Sequence, residues 1–322
     1  MSMVVVMNEP GGPEMLAPKD ISVGEPGPGE VRIRQTAIGV NYVDVYFRSG
    51  LYPVPSLPAV LGLEGAGTVE AVGSGVESLR PGDRVAYAGM PLGAYAESRV
   101  LPAGRLVKLP DVVSERVAAS MMLKGLTAHV LLHKVRAVGP GDWILVHAAA
   151  GGVGQIVTRW AKRLGAKVIG TVGSEGKVPV ARAAGADDVV LHSQPGWADH
   201  VVRAAEGRGV HLAIDGIGGA MLAQTLTVVR PFGIVASIGQ PAGPIPPITV
   251  EGLGANRFLV RPSVIAYVND PEFYRRGTAD LLAFLQDGRP AAVGAEYQLA
   301  DAAKAHADLE AGRTTGSTLL IP

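Results

Sequence analysis

The chain has 322 residues, 48% apolar and 18% charged, with 29 basic residues balanced by 29 acidic ones. This composition excludes a disordered chain, and zero net charge without a long basic run argues against nucleic acid or an anionic membrane surface as partner. The length suggests two domains, and the absence of cysteine removes disulfides, thiol catalysis and Cys-based zinc sites.

The opening Met1-Ser2-Met3-Val4-Val5-Val6-Met7 lacks a basic segment followed by an apolar stretch of export length. Nor is any apolar run long enough to span a bilayer, so a cytoplasmic protein is expected. Up to about Gly125 the chain reads as short strands broken by Gly and Pro. Val31-Arg32-Ile33-Arg34 alternates, Gly67 to Gly73 reads as a strand, and Pro81-Gly82-Asp83 turns into Arg84-Val85-Ala86-Tyr87. A mainly β fold with a few helices is predicted there.

From about Leu123 strands and helices alternate. The strands are Trp143–Val146, Lys167–Val172, Asp188–Leu191, Val210–Asp215, Gly233–Gly239 and Phe258–Val260, and their spacing predicts a right-handed parallel sheet. After Arg261-Pro262-Ser263 come helical stretches at Ala279–Leu285 and Ala300–Leu309. A strand at Thr318–Ile321 closes the chain.

The most informative stretch runs from Trp143 to Gly165. An apolar strand feeds the turn Ala148-Ala149-Ala150-Gly151-Gly152-Val153-Gly154, which opens a helix whose apolar face is Ile156, Val157, Trp160, Ala161 and Leu164. Ala149, Gly151 and Gly154 reproduce the G-x-G-x-x-G spacing with alanine first. Such a turn sets a dinucleotide pyrophosphate on a helix N-terminus, with the last glycine letting helix and strand pack closely.

NAD-binding units place an acidic residue about 20 positions beyond the glycines, on the ribose 2′-hydroxyl. Ser174 stands there instead, with Lys177 one short turn on. A 2′-phosphate needs space and positive charge, so NADP(H) is favoured. Glu175 points the other way, and Lys177 also reads as an ordinary surface lysine. Gly176 and Pro179 predict a late or weak start for the following helix.

With these residues placed, the chain resembles the zinc-independent NADPH:quinone oxidoreductases (zeta-crystallin-like) of the medium-chain dehydrogenase/reductase superfamily. The likeness runs through Asn41 to Pro53, Leu123-Lys124-Gly125-Leu126-Thr127, His147 to Gly154, Arg261-Pro262-Ser263 and the ending Gly316 to Pro322. It implies an α/β architecture. A GroES-like, mainly β catalytic domain would come from residues 1–123 and 262–322, flanking a Rossmann doubly wound parallel-sheet domain at 124–261. Where zinc alcohol dehydrogenases carry Gly-His-Glu, this chain has Gly62-Leu63-Glu64-Gly65, and Leu63 cannot ligate a metal. No metal is therefore expected. Losing that Lewis acid suits an already activated acceptor, since reducing a quinone yields a delocalised, weakly basic oxyanion.

The resemblance implies that Asn41, Tyr46 and Thr127 face the nicotinamide end of NADPH, with Val130 and Gly173 as further cofactor contacts. Gly152 and Val153, beside Gly151 and Gly154, would meet the pyrophosphate, and His192 the adenosine phosphate, where similar proteins carry tyrosine. Ile217, Gly239 and Ser263 would rim the cleft, and Arg313 would be a second cation near the 2′-phosphate. Asn41 also reads as a helix N-cap with Asp44 in its first turn. Tyr52 reads either as a proton donor to the reduced acceptor, a phenol being protonated at neutral pH, or as an amphipathic residue of a Pro-flanked loop. His129 and His133 share a helix face but sit among Val-Leu-Leu, which predicts core packing over metal binding. Asp215 is expected to order the turn at Gly216-Ile217-Gly218.

The resemblance implies NADPH-dependent quinone reduction. Reduction of an α,β-unsaturated carbonyl (enone, enal or enoyl thioester) needs the same groups. A non-catalytic NADPH- or RNA-binding role, known among similar proteins, finds no stacking-and-charge platform here. A homodimer is also implied, and Arg257-Phe258-Leu259-Val260-Arg261 offers a sheet edge for it.

Overall fold

Both ends of the chain build one unit, Met1–Leu126 with Ile265–Pro322, and the middle, Thr127–Val264, builds the other. The structure is a computed structural model and describes residues 1–254, 256–286 and 293–322. In chain order the first stretch supplies β1 (Ser2–Met7), β2 (Leu16–Ile21), β3 (Glu30–Val40), α1 (Tyr42–Arg48), β4 (Ala59–Val60), β5 (Glu64–Val72), β6 (Arg84–Ala88), β7 (Ser98–Pro102), β8 (Val107–Lys108) and α2 (Glu115–His129). The middle supplies β9 (Trp143–Val146), α3 (Gly152–Arg163), β10 (Lys167–Val172), α4 (Val178–Ala183), β11 (Asp188–Leu191), α5 (Trp197–Ala204), β12 (Val210–Asp215), α6 (Met221–Thr227), β13 (Val229–Ser237) and β14 (Phe258–Val260). The last stretch adds α7 (Val264–Asn269), α8 (Pro271–Gln286), β15 (Val293–Gln298), α9 (Ala302–Glu310) and β16 (Ser317–Ile321).

In the first unit β3 is the organising strand. It is 11 residues long, so the alternating Val31–Arg34 is only part of it. One edge pairs antiparallel with β5 along most of its length. The other edge is shared, β7 taking Glu30–Arg34 and β16 taking Ile38–Val40. A strand from the C-terminal stretch thus completes a sheet begun near the N-terminus, in the order β15-β16-β3-β5-β6-β8 with β7 beside β3. Leu61, Leu63, Leu101, Met121, Met122 and Leu126 are fully buried in this unit. A second sheet, β2-β1-β4, was not anticipated, because Val4-Val5-Val6 is a continuous apolar run rather than an alternating one.

The second unit is a six-stranded, wholly parallel sheet in the order β11-β10-β9-β12-β13-β14. This is the doubly wound dinucleotide-binding order, with the reversal between β9 and β12. Its core gathers Leu145, Ile169, Val201, Ala213, Leu222 and Val235. β13 begins at Val229, earlier than the predicted Gly233, because Val229 already pairs with Val210 before a register shift.

Two expectations need correction. The helix after Lys177 starts without delay at Val178, since Pro179 falls in its first turn, where a missing N–H costs nothing. His129 and His133 share a face as expected, but only His129 is buried in the core: α2 ends there, Val130–Val135 continues as a wider π turn, and His133 on it is exposed. Their rings lie 4.7 Å apart and pack 5.8 and 5.5 Å from Trp160.

Candidate functional site

Parallel strands put their C-terminal ends on one side of a sheet, and that side collects the predicted cofactor residues of the second unit. Gly151, Gly152, Val153 and Gly154 follow β9 across its turn, Gly173 and Ser174 follow β10, and His192 follows β11. Ile217 follows β12 shortly after its end, Gly239 follows β13 and Ser263 follows β14. Thr127 and Val130 lie at the end of α2 and the start of the π turn, half-buried and buried respectively.

The turn after β9 is tight. Ala148 adopts φ +51°, and the Gly151 amide donates to the Ala148 carbonyl at 2.8 Å. The first intrahelical bond of α3 runs from Gln155 N to Gly151 O at 3.0 Å. The amides of Gly152, Val153 and Gly154 therefore precede the helical ladder, and α3 carries no acidic residue in its first turn. These amides and the positive end of the helix suit a pyrophosphate. A Cβ at Gly154 would run into the Ala148 carbonyl, so only glycine permits this approach. The buried Gln155 amide donates to Ala150 O at 2.9 Å and fixes the turn from below.

At the end of β10, Ser174 starts a single 3₁₀ turn over Glu175–Lys177, closed by Lys177 N donating to Ser174 O at 3.0 Å. His192 backs onto this corner. Its Nε2 lies 3.4 Å from the place a Gly173 Cβ would occupy. Burial, and then the Lys177 charge, hold its imidazole below the ordinary value. Gly173, Lys177 and His192 are thus one cluster, opening beside a cleft lined by Ser193, Trp197 and Gln224.

Beneath the turn runs a polar chain that sequence reasoning missed. His147 Nδ1 meets Thr171 Oγ1 at 2.7 Å and its Nε2 meets Thr225 Oγ1 at 2.9 Å. Thr225 in turn donates to Asp215 Oδ2 at 2.9 Å. Asp215 Oδ1 accepts from the amides of Ile217 and Gly218, both at 2.9 Å, ordering that turn as expected. Burial drives the His147 pKa down, so the ring is neutral and acts as a fixed brace.

In the first unit, Asn41 takes an extended conformation just before α1, and Asp44 Oδ2 accepts from its backbone amide at 2.9 Å. α1 then carries Tyr46, which is buried, toward the loop holding Tyr52. The two rings lie 5.3 Å apart edge to face, with Phe47 at 5.7 Å from Tyr52, and Tyr52 N donates to Tyr46 O at 3.0 Å. Asn41 is thus the N-cap of α1, one of the two roles expected of it, and forms a capping box with Asp44. Arg313 lies just after α9, where Nε and Nη2 donate to Asp308 Oδ1 at 2.8 and 2.6 Å. Its charge is already met by a carboxylate that Lys304 and the Tyr297 hydroxyl also bind.

Behind Asn41 lies a buried charged cluster. Glu64 is fully buried, and its Oε1 accepts from Asn41 Nδ2 at 2.8 Å and from Lys124 Nζ at 2.6 Å. Its Oε2 accepts from the Leu123 amide at 2.6 Å. Nearby, the Tyr95 hydroxyl bridges Asp44 Oδ2 at 3.1 Å and His306 Nε2 at 2.8 Å. Burial pushes the Asp44 carboxyl up to about 7 and the His306 ring down to about 3. The sequence signal for Glu64 was the Gly62-Leu63-Glu64 motif, read only for its missing histidine.

Residues 27–111 match the alcohol dehydrogenase GroES-like domain, and residues 152–282 match the zinc-binding dehydrogenase family. The residues present do not make a zinc donor set. Leu63 is apolar and fully buried, cysteine is absent, and among the described residues no three His, Cys, Asp or Glu side chains are grouped to hold a metal. A quinone oxidoreductase of Pseudomonas aeruginosa is 43% identical over 97% of each chain. A 2-haloacrylate reductase of a Burkholderia species is 40% identical over 100% of this chain and 99% of its own. Among solved structures, the Escherichia coli quinone oxidoreductase complexed with NADPH superposes with a TM-score of 0.95 at 37% identity, covering 99% of this chain and 100% of that one.

Proposed function

The chain belongs to the quinone oxidoreductase family of the medium-chain dehydrogenase/reductase superfamily, and from that premise we propose that it reduces quinones with NADPH in a metal-independent reaction. The observation that carries this reading is Leu63, an apolar, fully buried side chain at the place where a zinc enzyme of the superfamily needs a histidine. An acceptor reduced here must accommodate its own negative charge, and a quinone does.

NADPH supplies a hydride when bound, and the acceptor takes up a proton from Tyr52 or water to give the quinol. The amides of Gly152, Val153 and Gly154 bind the pyrophosphate. Gly173, Ser174, Lys177 and His192 hold the adenosine end, Lys177 giving the 2′-phosphate its positive charge. Asn41 and Tyr46, with Thr127 and Val130, orient the nicotinamide, and Ile217, Gly239 and Ser263 line the cofactor's path. Arg313 reaches a 2′-phosphate only by sharing its charge with Asp308. The catalytic domain corresponds to residues 1–123 and 262–322 and the cofactor domain to 124–261. A homodimer acting in the cytoplasm belongs to the same proposal.

The 2-haloacrylate reductase relative favours a second reading, in which the acceptor is an α,β-unsaturated acid or carbonyl. Steady-state rates with matched NADPH, after exhaustive chelation, against panels of quinones and enones decide between them. Faster turnover of quinones is expected. A preference for enones overturns the choice of acceptor, and activity lost with stoichiometric zinc overturns the metal-independent reaction.

A further inference from the structure

The Glu64 cluster is more elaborate than a fold needs. Burying a carboxylate with an ammonium gains little stability over apolar residues of the same volume, because desolvation offsets the attraction. Yet the chain makes several provisions for this one carboxylate. The register of β3 and β5 sets Gly39 opposite Glu64, and a Cβ on Gly39 would run into Glu64 Oε1 and the Ala119 carbonyl. The glycine therefore clears the space the carboxylate occupies. Leu123 turns its amide to Oε2, and Lys124 on the same helix brings Nζ to Oε1. The remaining donor on Oε1 is the side-chain amide of Asn41.

We propose that Glu64, paired with Lys124, is a positioning residue for the reduction: by accepting from Nδ2 it holds the side-chain amide of Asn41 in one orientation. This rests on the reading that Asn41 contacts the nicotinamide or the acceptor. A free asparagine can rotate its amide by half a turn and exchange donor for acceptor. With Nδ2 tied to a carboxylate that offers no hydrogen, the flipped form would set Asn41 Oδ1 against Glu64 Oε1, which is repulsive. Lys124 Nζ donates to the same oxygen, so Oε1 meets donors from both Asn41 and Lys124. A glutamine at 64 cannot replace it. Its oxygen can meet Asn41 or the Leu123 amide, but its NH₂ then faces a donor on the other side.

The test uses the full-length enzyme and three variants: Glu64→Gln/Lys124→Met, which removes the pair without leaving a buried charge, Asn41→Ala, and the triple combination. In the wild type the Asn41 side-chain amide protons, followed by NMR, should be distinct and slow to exchange, and in the pair variant they should exchange much faster. The pair variant should lower kcat about tenfold, the scale of a small misplacement of a reacting group. Its NADPH dissociation constant should move less than about twofold, because the pyrophosphate and adenosine contacts lie in the other unit. In the Asn41→Ala background the pair substitution should change kcat by less than about twofold, since its effect runs through Asn41. Full multiplication of the two losses overturns the proposal. So does an Asn41 amide that exchanges slowly in both proteins. If the amide is released but Asn41→Ala turns over normally, the role given to Asn41 fails, and the positioning role falls with it for that separate reason.

Discussion

Arg48 and Glu310, 262 residues apart in the chain, form a two-pronged ion pair with Nη1–Oε2 at 2.6 Å and Nη2–Oε1 at 2.8 Å. The Arg48 side chain is only 3% exposed, and its Nε also donates to Gly11 O at 3.0 Å. Arg48 ends α1, the helix that carries Tyr46, and Glu310 ends α9. One guanidinium therefore ties the helix beside the candidate site to both the N-terminal turn and the C-terminal stretch.

Glu310→Gln should thus cost about 2–3 kcal/mol, since it strands a buried guanidinium while its partner was itself partly solvated. Arg48→Met/Glu310→Leu should recover most of that loss. Chemical denaturation at pH 7 measures both. If Glu310→Gln is as stable as the wild type, water reaches Arg48 and the tie is not a constraint.

Lys177 bears on cofactor choice. Lys177→Ala should weaken NADPH by about 1.5–3 kcal/mol, the worth of a charge-assisted hydrogen bond, and leave NADH nearly unchanged because it lacks the 2′-phosphate. Titration of each reduced cofactor gives the two affinities. Equal losses would mean Lys177 supports the turn rather than the phosphate.

Asp44 makes stability depend on pH in an unusual direction. Burial raises its folded pKa to about 7, against about 4 in an unfolded chain. The folded state then holds the proton more tightly, so this contribution is fully present below pH 4 and is lost as pH rises to 7. Buried, neutral His147 and His306 act oppositely, losing stability as pH falls below about 6.5. Asp44→Asn removes only the first effect. Its melting temperature relative to the wild type should become more favourable from pH 4.5 to pH 8, and a constant difference would show that Asp44 does not titrate in this range.

The parts legible in the sequence are those whose partners are close along the chain. The turn from Ala148 to Gly154 is readable because strand, glycines and helix follow one another within a few residues. Phe258–Val260 is readable because Arg257 and Pro262 bracket a short β-branched and aromatic run. The Glu64 cluster is not, since Asn41 and Lys124 lie 23 and 60 residues away and meet only through the β3–β5 register and the docking of α2. Arg313 shows the converse. The cation itself is visible in the sequence, but Asp308, which binds it, gives no sign there of doing so.

Among the described residues β14 is the outermost strand of the parallel sheet and pairs with β13 alone, and Phe258 on it is 51% exposed. An apolar edge of this kind invites further strand pairing unless something covers it. A second copy meeting it about a two-fold axis is the simplest closed arrangement, because each edge can serve as the other's antiparallel neighbour. Arg257 Nε donates to Val229 O at 2.8 Å, so the arginine is held at the start of β14. Pro262 limits the pairing length to a few residues, which makes the side chains, not the backbone alone, decisive. Light scattering at low micromolar concentration should therefore report twice the 33.2 kDa chain mass. Phe258→Glu would put a negative charge on that edge in each copy and should shift that mass towards 33.2 kDa while leaving NADPH affinity intact. A wild type that stays monomeric throughout would mean that the short strand and its flanking arginines protect the edge unaided.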